Sequence, residues 1–84
     1  MWFVYIIHSQ SLDRYYIGET DDVETRLRKH RARHRGYKWS MPDWELKLLE
    51  AFTTKKEARI REKQLKNWKN RKRIEELIAR SSVN

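Results

Sequence analysis

The absence of cysteine constrains the fold of this chain more than any other feature of its sequence. None of the 84 residues is a cysteine, so disulfide bridges, thiolate zinc sites and cysteine nucleophiles are all excluded. A chain of this length forms one domain and buries only roughly 60% of the surface that its unfolded form exposes. The core is therefore thin, and every large apolar residue matters. A cysteine-free chain also fits a reducing cytoplasm, which is the expected location.

The basic residues are concentrated in two stretches. Twenty lysine and arginine residues stand against twelve aspartate and glutamate residues, a net charge of +8. Residues 26–38 contain seven basic residues and no acid, and residues 55–80 contain eleven basic and four acidic residues. Such stretches favour a polyanionic partner, and nucleic acid fits better than a membrane, because a membrane-bound helix shows a broader Leu, Phe and Trp face. The alternative is a solvated surface that serves only solubility.

Two strand-like runs open the chain, and helical periodicity follows them. Residues 2–8 and 14–18 are rich in Ile, Val and Tyr and are separated by turn-forming residues, which predicts an antiparallel hairpin. The opening apolar run is too short for a signal peptide or a membrane span. Asp21 is the predicted N-cap of the first helix, with Glu24 three residues later, and this helix is expected to run to about residue 33.

The second half of the chain returns to a strand and then to helices. Residues 34–43 contain glycine and proline and predict a loop. Residues 44–52 predict a strand, one face of which would carry Leu46, Leu48 and Phe52. The sequence Thr54-Lys55-Lys56-Glu57 is a capping box that opens a long helix. A last short helix is expected from the apolar residues Ile74, Leu77 and Ile78.

The predicted order of elements is ββαβαα. This order describes an α+β fold in which a three-stranded antiparallel sheet is flanked by helices. We expect one domain over residues 1–84, with a core at about 2–78 and a frayed tail at 81–84.

Polar residues occupy helix positions where apolar residues are expected. Arg26 and His30 fall on the predicted inward stripe of the first helix, and Glu62 lies on or beside that of the later helix. Charged groups in such positions cost several kcal/mol unless they are paired or bind an ion. One interpretation is structural: Arg26 and Glu62 form an ion pair, and His30 bonds to a carbonyl. The other interpretation is catalytic. Arg26, His30 and Glu62, together with Tyr5 and Tyr16, would supply a proton acceptor, anion-binding groups and a metal ligand for phosphodiester hydrolysis.

The order of these residues is that of a known motif set. The sequence Val4-Tyr5-Ile6 is followed by Tyr16-Ile17-Gly18, then by Arg26 and His30, and finally by Glu62. This arrangement resembles the GIY-YIG nuclease domain, although Val4 replaces the first glycine of the family name. Residues 58–68 are similar to the small stand-alone bacterial members of the family, and the resemblance extends over roughly residues 2–78.

The resemblance implies an endonuclease that cleaves DNA with one divalent cation, Mg²⁺ or Mn²⁺. By carry-over from the family, Glu62 binds the metal, and Tyr5 is the general base that deprotonates the attacking water. Tyr16 and Arg26 orient and neutralise the scissile phosphate, and His30 bonds within the cluster and helps to set the protonation of Tyr5. A free phenol has a pKa of about 10, so this base needs cationic neighbours at neutral pH.

Further basic residues are candidates for binding the substrate backbone: Arg28, Lys29, Arg33, Lys38, Lys66 and Lys69. DNA is the expected partner, including nicked, branched or damaged duplexes that arise in DNA repair, and RNA stays open. The main alternative is a module that binds nucleic acid through the same surface without turnover. It is motivated by the family's asparagine, since Asn67 and Asn70 lie closer to Glu62 than the family pattern implies. A third alternative is a structural protein with an internal ion-pair network.

Overall fold

A three-stranded antiparallel sheet carries three helices in the computed structural model, which describes residues 1–32 and 43–81. The strands are β1 (Trp2–Ser9), β2 (Arg14–Thr20) and β3 (Trp44–Phe52). The helices are α1 (Val23–Ala32), α2 (Lys55–Trp68) and α3 (Arg71–Ser81). The predicted ββαβαα order and α+β class are therefore confirmed. Nearly all of the predicted loop at 34–43, and the last three residues of the predicted tail, lie outside the described residues.

β1 is the central strand of the sheet, and both of its faces are buried. The strand order is β2-β1-β3, with antiparallel pairing on each side. The buried residues 4–7 form a continuous apolar run, as expected for a strand that is covered on both faces. One face packs against α2 and α3 and forms the main core, whose buried members are Val4, Ile6, Leu48, Ala58, Leu65 and Ile74. The other face contains Tyr5 and receives α1.

A β-bulge at Lys47 reverses the faces of the sheet to which the side chains in the first half of β3 point. Ile6 pairs with Leu48, but Ile7 pairs with Leu46, so Lys47 is one extra residue opposite β1. The bulge shifts the alternation of side chains by one residue, and Leu46 therefore shares a face with Ile7. The prediction that Leu46 and Leu48 lie on the same face is wrong.

Helix α1 begins one residue later than predicted. Asp22, not Asp21, is its N-cap, because the Asp22 carboxylate accepts hydrogen bonds from the backbone N–H and the hydroxyl of Thr25. Either of the two adjacent aspartates could cap the helix, and Thr25, which bonds to Asp22 through both its N–H and its hydroxyl, selects the second. The first turn of α1, and with it Arg26 and His30, is oriented by this cap.

Helix α2 begins at a capping box and is joined to the sheet by an ion pair. The predicted capping box is confirmed, since Thr54 Oγ accepts from the Glu57 N–H and the Glu57 carboxylate accepts from the Thr54 N–H. The Arg61 guanidinium then donates to both carboxylate oxygens of Glu50 on β3, at 2.8 and 3.2 Å. These contacts fix the rotation of α2 about its axis and thereby the position of Glu62.

Candidate active site

The hydroxyl of Tyr5 is carried across the neighbouring strand to the edge of the sheet. Tyr5 pairs with Gly18 of β2, which is an edge strand. A Cβ atom built on Gly18 would lie 2.5 Å from Tyr5 Oη and 2.7 Å from Cζ. The absence of a side chain at position 18 is therefore what allows the Tyr5 ring to cross β2. The ring itself is buried, with 2% of the residue exposed.

Tyr16 and His30 complete an aromatic cluster around this hydroxyl. Tyr16 lies two residues before Gly18 and thus on the same face of β2, where it is 41% exposed. Its ring centroid is 4.5 Å from that of His30 and 6.2 Å from that of Tyr5. A hydrogen bond of 3.3 Å joins Tyr5 Oη and His30 Nε2, and the nitrogen accepts it when the proton is on Nδ1. The cluster places a phenol and a proton-accepting imidazole at one edge of the sheet.

Arg26 lies on the rim of this cluster and not on the inward stripe where it was predicted. Arg26 is exposed, whereas His30 is half-buried one turn later on α1. Because the guanidinium stays in water, it needs no buried partner. Arg26 and Glu62 form no ion pair within the described part of the chain, so the structural interpretation of this pair is not what the structure shows.

Glu62 instead pairs with a lysine on its own helix. Lys66 Nζ lies 2.9 Å from Glu62 Oε2, one turn later on α2. The Glu62 side chain is 20% exposed and the Lys66 side chain is 51% exposed. A single bond from so exposed an ammonium contributes on the order of 0.3–0.5 kcal/mol, so Lys66 is easily displaced by a stronger cation.

The electrostatic surroundings keep the Tyr5 phenol protonated at neutral pH. Burial, and after it the neighbouring Tyr16 phenol, raises the pKa of Tyr5 to about 12. The Arg26 guanidinium opposes this shift, and the carboxylates of Glu62 and Glu19 add to it. All of these groups therefore lie close enough to Tyr5 to act on its charge, and the one cation among them is Arg26.

The carboxylates near Tyr5 fit a hard divalent cation that keeps most of its water. In the described residues, no group of three or more His, Asp or Glu side chains could hold a metal ion. Glu62 is the ligand predicted from the sequence, and Glu19 Oε2 is a buried carboxylate oxygen for which the described residues provide no hydrogen-bond partner. Such an oxygen needs a cation or a water molecule. One or two carboxylates completed by water suit Mg²⁺ or Mn²⁺, whereas Zn²⁺ favours nitrogen and sulfur ligands.

The predicted backbone-binding residues fall on both sides of this edge. Arg28 and Lys29 are exposed on α1, and Lys66 and Lys69 are exposed at the end of α2. The other two candidates, Arg33 and Lys38, lie outside the described residues. Within the ranges that the structure describes, no helix is long and apolar enough to cross a membrane.

Three residues of the site are not among the site residues predicted from the sequence. Gly18 belongs to a motif, but only the strand register shows that the Tyr5 ring crosses it. Glu19 follows the motif directly, yet nothing in the sequence predicts that one of its oxygens is buried. Trp44 begins β3, and its ring centroid lies 5.9 Å from that of His30. Tyr15, by contrast, packs against the core on the opposite face of the sheet.

Comparison with known proteins agrees with the geometry. The family model described as GIY-YIG catalytic domain matches residues 1–75, a range that includes Tyr5, Tyr16, Arg26, His30 and Glu62. Searches of curated proteins and of solved structures find no match. The domain indicates a nuclease-type function, and nucleases of this kind act on nucleic acid and generally use a divalent metal. The chain belongs to the GIY-YIG family.

Proposed function

We propose that this protein is an endonuclease that hydrolyses phosphodiester bonds in DNA with one divalent cation, Mg²⁺ or Mn²⁺. The observation that carries the proposal is the Tyr5 hydroxyl, which reaches the sheet edge beside His30 and within electrostatic reach of Arg26 and Glu62. Nicked, branched or damaged DNA in the cytoplasm is the proposed substrate class, which would connect the protein to DNA repair.

Tyr5 is the proposed general base. Because its pKa is about 12, the phenol must lose its proton before it can accept one from water. His30 Nε2, at 3.3 Å, is the acceptor for that proton. The phenolate then takes a proton from the attacking water, the water oxygen bonds to phosphorus, and the bond to the leaving nucleotide oxygen breaks. A divalent cation held by Glu62, with Glu19 nearby, would supply positive charge that stabilises the phenolate and the phosphate.

Arg26 and Tyr16 are the proposed phosphate-binding residues. Both are exposed at the rim of the cluster, so each can meet a substrate without first being uncovered. The Arg26 guanidinium presents several donors in one plane, which matches the oxygens of a phosphate group. Tyr16 presents one hydroxyl from the edge strand and is held in place by its contact with the His30 ring.

A nucleic-acid-binding module without turnover is the second candidate. It is favoured by the Lys66 ammonium, which lies on the carboxylate that would otherwise receive the metal. In such a protein Glu62 would be charge-compensated permanently, and Tyr5 would remain a neutral phenol. Binding to DNA would then persist while divalent cations produced no cleavage.

Cleavage of a panel of end-labelled DNA decides between the two. Single-stranded, duplex, nicked, flapped and four-way DNA would be incubated at low salt with Mg²⁺, Mn²⁺ or EDTA. Glu62→Gln and Tyr5→Phe should each reduce cleavage by about 10²–10⁴-fold and leave DNA affinity nearly unchanged. The matched controls are Glu76→Gln, an exposed carboxylate on α3, and Tyr15→Phe, a phenol on the opposite face. Cleavage that survives in Glu62→Gln would contradict the assignment of the metal ligand, and DNA binding without products would establish the second candidate.

A further inference from the structure

One side of α2 carries a continuous row of exposed basic side chains, called here the α2 basic face. Its members are Lys55, Lys56, Arg59, Lys63 and Lys66. At 3.6 residues per turn, these positions span about 100° of the helix circumference, and Glu62 lies directly beside them. The same side chains, with Glu62 and Ile60, line a recess of about 660 Å³. The candidate metal ligand is therefore at the border between the core-facing side of α2 and this basic face.

The positive charge of the α2 basic face is poorly compensated. Of the two acids of α2, Glu57 caps the helix, and Glu62 pairs with a single member of the face, Lys66, among the described residues. Lys56, Arg59 and Lys63 form no ion pair within the described ranges. Like charges one turn apart on a helix destabilise it by about 0.2–0.5 kcal/mol per pair. Helix stability therefore does not explain the arrangement, and an anionic ligand would.

We infer that the α2 basic face binds the phosphate backbone of the nucleic acid, so that the substrate runs along α2 from Glu62 towards the N-terminus of the helix. This inference rests on the proposed function and adds a surface and a direction to it. From Lys55 to Lys66 the helix rises about 16 Å, which is the length of about five nucleotides of duplex. The basic residues of α1 lie on the other face of the sheet, so the two helices hold the backbone from both sides of the β2 edge.

Nucleic acid fits this face better than an anionic membrane does. A helix that lies in a membrane surface needs a broad apolar face beside its basic one. On α2 the apolar residues Ala58 and Leu65 are buried in the core, and Ile60, at 59% exposure, is the large apolar side chain that reaches solvent. A single isoleucine among five cations suits contact with a polyanion.

The salt dependence of DNA binding tests the inference. Fluorescence anisotropy with a labelled duplex in EDTA would compare wild type with the triple variant Lys56→Gln, Arg59→Gln, Lys63→Gln. Three lost phosphate contacts should reduce the slope of log K against log salt by about 2.7. Wild type should then lose about 40-fold more affinity than this variant between about 50 and 200 mM salt. A control triple variant, Lys47→Gln, Lys72→Gln, Arg80→Gln, removes the same charge from other surfaces and should keep the wild-type slope.

Each outcome bears on one claim. Equal slopes for the two triple variants would overturn the inference and leave the proposed function standing if wild type cleaves DNA with metal. The inference would also be overturned, and the α2 basic face assigned to a membrane, if the triple variant of that face lost binding to phosphatidylserine vesicles but bound DNA as wild type does. If wild type neither binds nor cleaves nucleic acid, the proposed function and the inference fall together. The three single substitutions, each expected to change the slope by about 0.9, repeat the test with smaller changes to the protein.

Discussion

The crossing of Tyr5 over Gly18 makes Gly18→Ala the most informative single substitution in this protein. The new methyl group would lie 2.5 Å from Tyr5 Oη, 2.7 Å from Cζ and 3.0 Å from Cε1. Alanine is compatible with the backbone at this position, because the φ angle of Gly18 lies outside the left-handed region. The cost of the substitution therefore comes from the collision with the Tyr5 ring and not from the chain conformation.

The ring has little freedom to move away from such a methyl group. Tyr5 is 2% exposed and packs against the rings of Tyr16 and His30. To restore ordinary van der Waals contact, the hydroxyl must retreat by about 1 Å. We expect this overpacking to reduce the free energy of unfolding by about 1–3 kcal/mol and the Tm by about 5–15 °C. Misplacing a reacting group by about 1 Å should also lower kcat about 100-fold.

A double-mutant cycle with Tyr5→Leu isolates the collision. Leucine lacks all three atoms that the methyl group would meet, so Gly18→Ala should cost less than about 0.5 kcal/mol in that background. Urea unfolding followed by tryptophan fluorescence gives the free energies, and initial rates of DNA cleavage give kcat. The reasoning is refuted if Gly18→Ala costs as much in the Tyr5→Leu background as in wild type, or if it changes neither stability nor kcat.

Two further predictions concern stability. In the folded protein the pKa of Tyr5 is about 12, so its phenol stays neutral at pH values where the phenol of the unfolded chain ionises. The free energy of unfolding of metal-free wild type should therefore fall by up to about 2–3 kcal/mol relative to that of Tyr5→Phe as the pH rises from about 10 to 12. Urea titrations of both proteins across that range measure this difference, and parallel curves would contradict it. Arg61→Met leaves the three-quarters-buried Glu50 carboxylate without its partner and should reduce the free energy of unfolding by about 1–2 kcal/mol in urea. The double variant with Glu50→Leu should recover part of that loss, and no recovery would argue against the pair.

The elements of the fold are predictable from the sequence because their local signals are strong and agree with one another. The Ile, Val and Tyr content of the first two strands, the turn formers between them and the capping box at Thr54 each identify one element by its own chemistry. Three strands and three helices in this order leave few arrangements open. The sheet and its flanking helices follow from those signals alone.

The errors arise where the local pattern leaves more than one arrangement open. The bulge at Lys47 reverses the side-chain faces in half of β3, and no periodicity within that strand predicts it. Asp22 replaces Asp21 as the cap because Thr25 bonds to it, which becomes visible only when the helix is built. Arg26 falls on the inward stripe by spacing, yet its long side chain reaches solvent at the rim of the sheet.

The site is predictable as a set of residue types but not as a geometry. The order of the motifs predicts Tyr5, Tyr16 and Glu62 as site residues, whereas the position of the Tyr5 ring depends on which residue of β2 lies opposite Tyr5. That partner is Gly18, and a one-residue slip in register would place the Tyr5 ring against a side chain. The buried oxygen of Glu19 likewise depends on how closely β2 and its surroundings pack.

The same surroundings that position Tyr5 also keep its phenol protonated at neutral pH. Burial, the Tyr16 phenol and two carboxylates all raise the pKa of Tyr5, and among the described residues Arg26 opposes them. A cation bound at Glu62 would cancel the carboxylate that now disfavours the phenolate, so one event would both supply positive charge and remove negative charge beside the base. Under the proposed function, Tyr5 therefore becomes a base only when Glu62 exchanges Lys66 for a divalent ion. DNA can then be bound along the basic surfaces before the site is able to cut it, so affinity and turnover should respond separately to salt and to metal.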